Sequence, residues 1–124
     1  MVEILVIDDE ESICNSITWL LEETGYSVTC VMDFATAAET IKKRDFSLYF
    51  VDLILPGGNG INLIKLIKDL NKKGVIIIIT GYPNLPTLVD SIRLDTYDYI
   101  KKPINKEDLI KIVNQALATL VDIL

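Results

Sequence analysis

The sequence predicts an α/β fold in which a parallel sheet is covered by helices on both faces. Two observations carry that reading. Short β-branched runs alternate with amphipathic patterns along the whole chain. The runs "ILVI" and "VIIIIT" also lack the polar alternation of a strand with one wet face, as strands buried on both sides require. Strand–helix alternation of this kind implies right-handed crossovers between parallel neighbours.

Taken in order, residues 4–7 form the first strand. Ile13, Ile17, Leu20 and Leu21 then follow the i, i+4, i+7, i+8 spacing of one helix face, and Gly25 ends that helix as its C′ residue. Residues 27–31 form the second strand. Residues 34–44 form the second helix, capped by Asp33. Residues 48–51 are the third strand. Gly57, Gly58 and Gly60 serve the turn after Pro56. A third helix covers 60–71 and ends before Lys72-Lys73-Gly74, and residues 75–79 are the fourth strand. A weaker fourth helix spans 85–94, its start confined to near Asn84 by Pro83 and Pro86. "YDYIK", 97–101, is the weakest strand. The last helix, 106–122, has Asn105 as cap and an Ile104–Leu109 hydrophobic staple. Cys14, Trp19 and the aliphatic stripe of the last helix read as packing.

The bulk properties exclude several classes. At 124 residues, one domain spanning 1–124 is expected, and such a chain buries roughly two-thirds of its unfolded surface. Half the residues are hydrophobic and the mean hydropathy is +0.36, which suits a fully buried central layer. No apolar run approaches the ~20 residues of a membrane span, and "MVEILVIDDE" lacks a signal peptide's basic start and cleavage site. Cys14 and Cys30, unclustered in sequence, read as reduced thiols in a cytoplasm. Without histidine a zinc site is short of ligands. A net charge of −6 argues against nucleic-acid binding.

The chemistry lies at the strand ends. In open parallel sheets ligands bind outside the carboxyl ends of the strands. There the chain places Asp8, Asp9, Glu10 and Glu11 after strand one, Asp52 after strand three, Thr80 and Gly81 after strand four, and Lys101, Lys102 and Pro103 after strand five. Asp52 closes a buried-looking run, and an unpaired buried carboxylate is costly. Carboxylates ~4 Å apart repel by roughly 1–4 kcal/mol per pair. A hard divalent cation removes that repulsion, and oxygen-only ligands select Mg²⁺ or a similar ion. A lysine and a hydroxyl opposite suit phosphoryl oxygens. Asp52 is then a nucleophile able to form an aspartyl phosphate. Each feature also has an ordinary reading: Asp8-Asp9 as helix caps, Thr80 as a strand end, Tyr99 as a half-buried strand aromatic, Lys101-Lys102 as solvated surface.

The four segments "VIDDE", "VDLILPGGNG", "ITGY" and "YDYIKKP", in this order and spacing, make the chain resemble the receiver domain of a two-component response regulator over essentially its whole length. The resemblance implies a flavodoxin-like (βα)5 fold with strand order 2-1-3-4-5. It implies that Asp52 is the phosphoacceptor and that Mg²⁺ (or Mn²⁺) is held by Asp8, Asp9, Asp52 and the backbone carbonyl of Ile54, with Asp9 a direct ligand. Thr80 matches the switch hydroxyl, Lys102 the phosphate contact and Tyr99 the switch aromatic, and the Lys102–Pro103 bond is expected to be cis. Asp95-Thr96 departs from the small residues usual at that point. The implied function is a phosphoprotein that accepts a phosphoryl group from a sensor histidine kinase or phosphotransfer protein and switches conformation to control an output. It assists its own phosphorylation and dephosphorylation but is not an enzyme in the ordinary sense. A cytoplasmic location is implied, with no direct nucleic-acid or membrane contact, and a phosphorylation-dependent homodimer through helix 4, strand 5 and helix 5. The alternatives are a degenerate receiver that only binds partners, an aspartyl-phosphate phosphatase of haloacid-dehalogenase type, and an FMN carrier. The phosphatase needs an acid where Ile54 stands, and the four acids of "DDEES" repel a flavin phosphate.

Overall fold

The computed structural model describes residues 2–81 and 96–123. Its elements are β1 (Glu3–Ile7), α1 (Glu11–Glu22), β2 (Ser27–Val31), α2 (Phe34–Lys43), β3 (Leu48–Asp52), the short strands β4 (Ile54–Leu55) and β5 (Gly58–Asn59), α3 (Gly60–Asp69), β6 (Val75–Thr80), β7 (Asp98–Lys101) and a C-terminal helix, Lys106–Ile123. The five long strands form one parallel sheet in the order β2-β1-β3-β6-β7. Counted over those five strands this is the expected 2-1-3-4-5, with β1 and β3 adjacent where the winding reverses. β4 and β5 form an antiparallel ribbon that no pattern in the sequence announces.

The pleat explains the missing alternation. Successive strand residues point to opposite faces, and both faces are dry. Leu5, Ile7, Tyr49, Val51, Ile76 and Ile78 pack with Ala37 and Ile41 of α2 and Leu63, Ile64 and Ile67 of α3. Ile4, Val6, Leu48, Phe50, Ile77 and Ile79 pack with Cys14, Ile17 and Leu21 of α1 and Leu109, Ile112, Val113 and Ala116 of the C-terminal helix. Each such Leu or Ile contributes roughly 1.5–3 kcal/mol on burial.

The helix ends follow local chemistry. Past α1, the Tyr26 N–H donates to the Leu21 carbonyl at 3.2 Å and the Gly25 N–H to that of Glu22 at 3.0 Å, with Gly25 at φ +92. That is the paired bonding of a Schellman motif with glycine at C′. Asp33 Oδ1 accepts from the Thr36 N–H at 2.8 Å. Asn105 Oδ1 accepts from the Glu107 N–H at 2.8 Å, while Ile104 and Leu109 join the same apolar cluster. α3 stops at Asp69, short of the expected residue 71, because Asn71 turns left-handed at φ 56.

One expectation is corrected. Trp19 does not pack: its side chain is 63% exposed. The buried face of α1 is Cys14, Ile17 and Leu21, and at 100° per residue position 19 lies on the far side of it. Cys14 and Cys30, distant in sequence, are neighbours in space, with Cys30 Sγ 3.5 Å from the Cys14 carbonyl. The expected helix 85–94 lies outside the described residues, as do Tyr82 and Asp95.

Gly57 serves the turn as expected, at φ +83. Gly60 has a different role. It is buried at the start of α3, and a Cβ there would collide with the Asp52 carbonyl oxygen and come within 2.9 Å of Leu53 Cα. Only hydrogen fits between the helix and the end of β3. Gly60→Ala should therefore destabilise the fold by about 1–3 kcal/mol, the usual cost of overpacking, and shift the amide resonances around Asp52. Urea unfolding measures the first effect, and unchanged stability would show that the α3 start has room to move.

Candidate functional site

The sheet register brings the functional residues level. Ile7 of β1 pairs with Val51, Asp52 of β3 with Ile79, and Thr80 of β6 with Lys101. Asp52 and Thr80 are thus the last residues of their strands, one position further into the sheet than the sequence patterns suggest, and Asp8 follows β1 directly. Among the described residues, the buried polar or charged ones are Asp8, Asp52 and Thr80, all on this one rim. Beyond β7, the Lys102 N–H continues the ladder to the Thr80 carbonyl at 2.8 Å, and the Lys102–Pro103 bond is cis. A cavity of about 540 Å³ opens at the rim, lined by Asp9, Glu10, Ile13, Asp52, Ile54, Thr80, Gly81, Lys102 and Pro103.

Lys102 reaches into the acids while Lys101 is exposed. The Lys102 ammonium lies 2.6 Å from Glu10 Oε1, 3.0 Å from Asp8 Oδ2 and 3.1 Å from Asp52 Oδ2. Burial opposes its charge, but the hydrogen bonds to Glu10 and Asp8 and the charge of Asp52 outweigh that and hold it above the usual lysine range. Asp52 Oδ1 accepts from the Ile54 N–H at 3.1 Å, which orients the carboxylate from the following turn. Asp8 Oδ1 accepts from the Glu10 N–H at 2.9 Å. The N-cap of α1 is Glu10, with no side-chain capping bond, so the Asp8-Asp9 pair is not spent on capping that helix.

The donor set fits a hard cation. Asp8 is fully buried, yet its Oδ2 makes no hydrogen bond: the nearby ammonium is within ion-pair distance but not in hydrogen-bonding geometry. Carboxylate oxygens of Asp8, Asp9 and Glu10 lie within 4.8 Å of one another. An orphaned buried oxygen beside clustered oxygens is an arrangement that Mg²⁺ satisfies and that softer metals do not prefer.

Of the residues singled out from sequence, Asp9, Asp52, Ile54, Thr80 and Lys102 share the cavity, and Asp8 adjoins it beneath Lys102. Tyr99 stands apart: it lies on β7 opposite Ile78, is 44% exposed and does not line the cavity. The Ile54 side chain, 57% exposed, overhangs the opening. Glu10 is a site residue that sequence reasoning misses. Along the chain it is one member of an acidic run, and only the position of Lys102 shows that this acid meets the lysine.

The open parallel sheet thus carries buried acids, with a lysine ammonium against them, at its winding reversal. Residues 4–114 match the response regulator receiver domain family, and the chain belongs to that family. It is 35% identical over 120 residues to the nitrogen assimilation regulatory protein NtrX of Azorhizobium caulinodans, covering 95% of this chain and 26% of that protein. The chain thus spans about a quarter of the length of that curated relative. Among solved structures it superposes with a TM-score of 0.91 on a receiver domain protein from Methanospirillum hungatei, 29% identical, over 96% of this chain and 95% of the other. It superposes with a TM-score of 0.87 on the beryllofluoride-activated NtrC4 receiver domain dimer, 34% identical, over 96% and 98% of the two chains.

Burial pushes the Asp8 carboxyl up to about 6, against the pull of the Glu10 N–H and Lys102. Folded Asp8 therefore holds its proton more tightly than in the unfolded chain, where the value is about 3.9. The stability this contributes is fully present below about 3.9 and is lost as the pH rises through about 6. In EDTA, Asp8→Asn should be more stable than wild type by about 1–3 kcal/mol at pH 7.5 and nearly equal to it at pH 4. Urea titrations at the two pH values check this. A variant less stable at pH 7.5 would mean that the Lys102 contact outweighs burial.

Proposed function

We propose that this chain is a phosphoacceptor receiver that takes a phosphoryl group onto Asp52 from a phosphohistidine on a sensor kinase or phosphotransfer protein. The observation that carries the reading is the contact of a buried Asp52 carboxylate with Lys102 at 3.1 Å on the wall of an open cavity. In the transfer, an Asp52 oxygen forms a bond to phosphorus as the P–N bond to the donor histidine breaks, and the electron pair leaves with the imidazole. Such a transfer is mostly positioning and charge stabilisation. Mg²⁺ or Mn²⁺ held by Asp8, Asp9, Asp52 and the Ile54 carbonyl would supply neutralisation of charge on the phosphoryl oxygens. Lys102 binds one of those oxygens, and the Thr80 hydroxyl turns toward another. Water is the final acceptor when the acyl phosphate hydrolyses, so the domain assists its own reactions without turning over an external substrate.

Signalling follows as a population shift between two conformations, biased by the contacts the phosphoryl group makes in only one of them. Movement of Thr80 frees space into which Tyr99 swings from its exposed position. The face around β7 and the C-terminal helix then changes shape. The NtrC4 receiver, similar over nearly the whole chain, is a dimer when activated by beryllofluoride, and a phosphorylation-dependent homodimer through this face is proposed here as well. Among the described residues no helix is long and apolar enough to cross a membrane. In a longer regulator the output would belong to the rest of that protein.

Acetyl phosphate with Mg²⁺ should add one phosphoryl mass to the wild type and none to Asp52→Asn. Equal modification of the two would move the site, and no modification of wild type would return the chain to a degenerate receiver. Lys102→Ala should still accept the group but lose the beryllofluoride-induced change in sedimentation, and a normal change would assign the role to another cation.

The acyl phosphate should also be long-lived. In-line attack by water is shielded at the opening by Ile54, which offers no hydrogen bond; from its place two positions after Thr80 in the sequence, Tyr82, which lies outside the described residues, is expected to add to this. Ile54→Asn and Tyr82→Glu should each shorten the phosphoprotein lifetime several-fold. Unchanged decay in both variants would exclude shielding by these side chains.

A further inference from the structure

Lys102 donates toward three acceptors at once: Glu10 Oε1 at 2.6 Å, Asp52 Oδ2 at 3.1 Å and Asp8 Oδ1 at 3.3 Å. An ammonium has three protons, so each is engaged. Two of these acids belong to the set that would hold the cation and the phosphoryl group. Glu10, the closest, has an oxygen in the Asp8–Asp9–Glu10 cluster but is not among the ligands the family resemblance implies. Its backbone is fixed at the start of α1 by the N–H bond to Asp8, while its side chain is half exposed. A fixed base with a movable carboxylate at the cavity rim is suited to following an ammonium that changes place.

A divalent cation at Asp8 and Asp52 meets an obstacle, because the Lys102 ammonium already stands against an oxygen of each. Two cations cannot share those oxygens closely without strong repulsion in a partly buried site. Either the lysine keeps its place and the ion binds weakly, or the lysine withdraws to another anion. Glu10 is the anion within reach.

We propose that Glu10 is a positioning residue that retains the Lys102 ammonium at the rim while a divalent cation occupies the Asp8–Asp52 side. The proposal rests on the functional reading above, which places the cation there. It assigns Glu10 neither as a metal ligand nor as a general source of negative potential. In both of those roles it would act whether or not Lys102 is present.

That difference is the test. Mg²⁺ is titrated calorimetrically into metal-free wild type, Glu10→Gln, Lys102→Met and the double variant at fixed ionic strength, with thermal melts showing that each is folded. Glu10→Gln should weaken Mg²⁺ binding by a factor at least about threefold larger when Lys102 is intact than in the Lys102→Met background, a coupling that a double-mutant cycle isolates from simple charge loss. Equal losses in the two backgrounds overturn the proposal and leave Glu10 as a ligand or a bystander charge. Unchanged or tighter binding in Glu10→Gln overturns it as well. Failure of wild type to bind Mg²⁺ at all is a separate result, which removes the functional reading and the proposal with it.

Discussion

Lys102 carries a single positive charge to a rim where three carboxylates approach it within 3.1 Å. That balance is what lets buried acids exist at the end of a sheet whose every other layer is hydrocarbon. Asp8 and Asp52 lose most of their hydration, and a buried carboxylate without a counter-charge is costly. One ammonium among three acids is an incomplete answer, and the raised Asp8 carboxyl is the sign of it. The site is held together in a form that favours the arrival of more positive charge. The proposed phosphoryl transfer would bring an anion into this acidic cavity in the company of a cation.

The rest of the fold keeps that arrangement in register. β1 and β3 are the central strands, clamped between two apolar layers, so the backbone carrying Asp8 and Asp52 is immobilised by packing on both faces. Gly60 lets α3 begin against the Asp52 carbonyl and locks the loop behind the nucleophile. β7 lies at the edge of the sheet, bonded on one side only. Tyr99 is thus borne by an edge strand and Lys102 directly follows it, while Asp52 ends a strand held by two neighbours.

Much of the fold was legible because its signals are local. The Asp33 and Asn105 caps and Gly25 at C′ act through residues within one turn, so their sequence neighbourhoods suffice. The unbroken apolar runs announce buried strands because a strand with both faces covered has no place for polar residues. The departures have a common cause. Trp19 has the chemistry of a packing residue, but the phase of α1 turns it outward. Cys14 and Cys30 are unclustered along the chain because proximity between a helix and the next strand is invisible there. The β4–β5 ribbon is too short to show a pattern.

The sequence by itself determined the five long strands, the helices 11–22, 34–43, 60–69 and 106–123 in outline, the burial of the sheet and the set of acids, hydroxyl and lysine at the strand ends, because each depends on side-chain type and short-range spacing. Tertiary structure alone decided which groups meet. It set Lys102 rather than Lys101 against the acids by the direction in which the chain leaves β7, and it brought the Glu10 carboxylate to that ammonium at the exposed rim. It also left Asp8 Oδ2 without a hydrogen bond. These are contacts between residues as many as 94 positions apart, and they follow from strand register and helix docking, which no local pattern encodes.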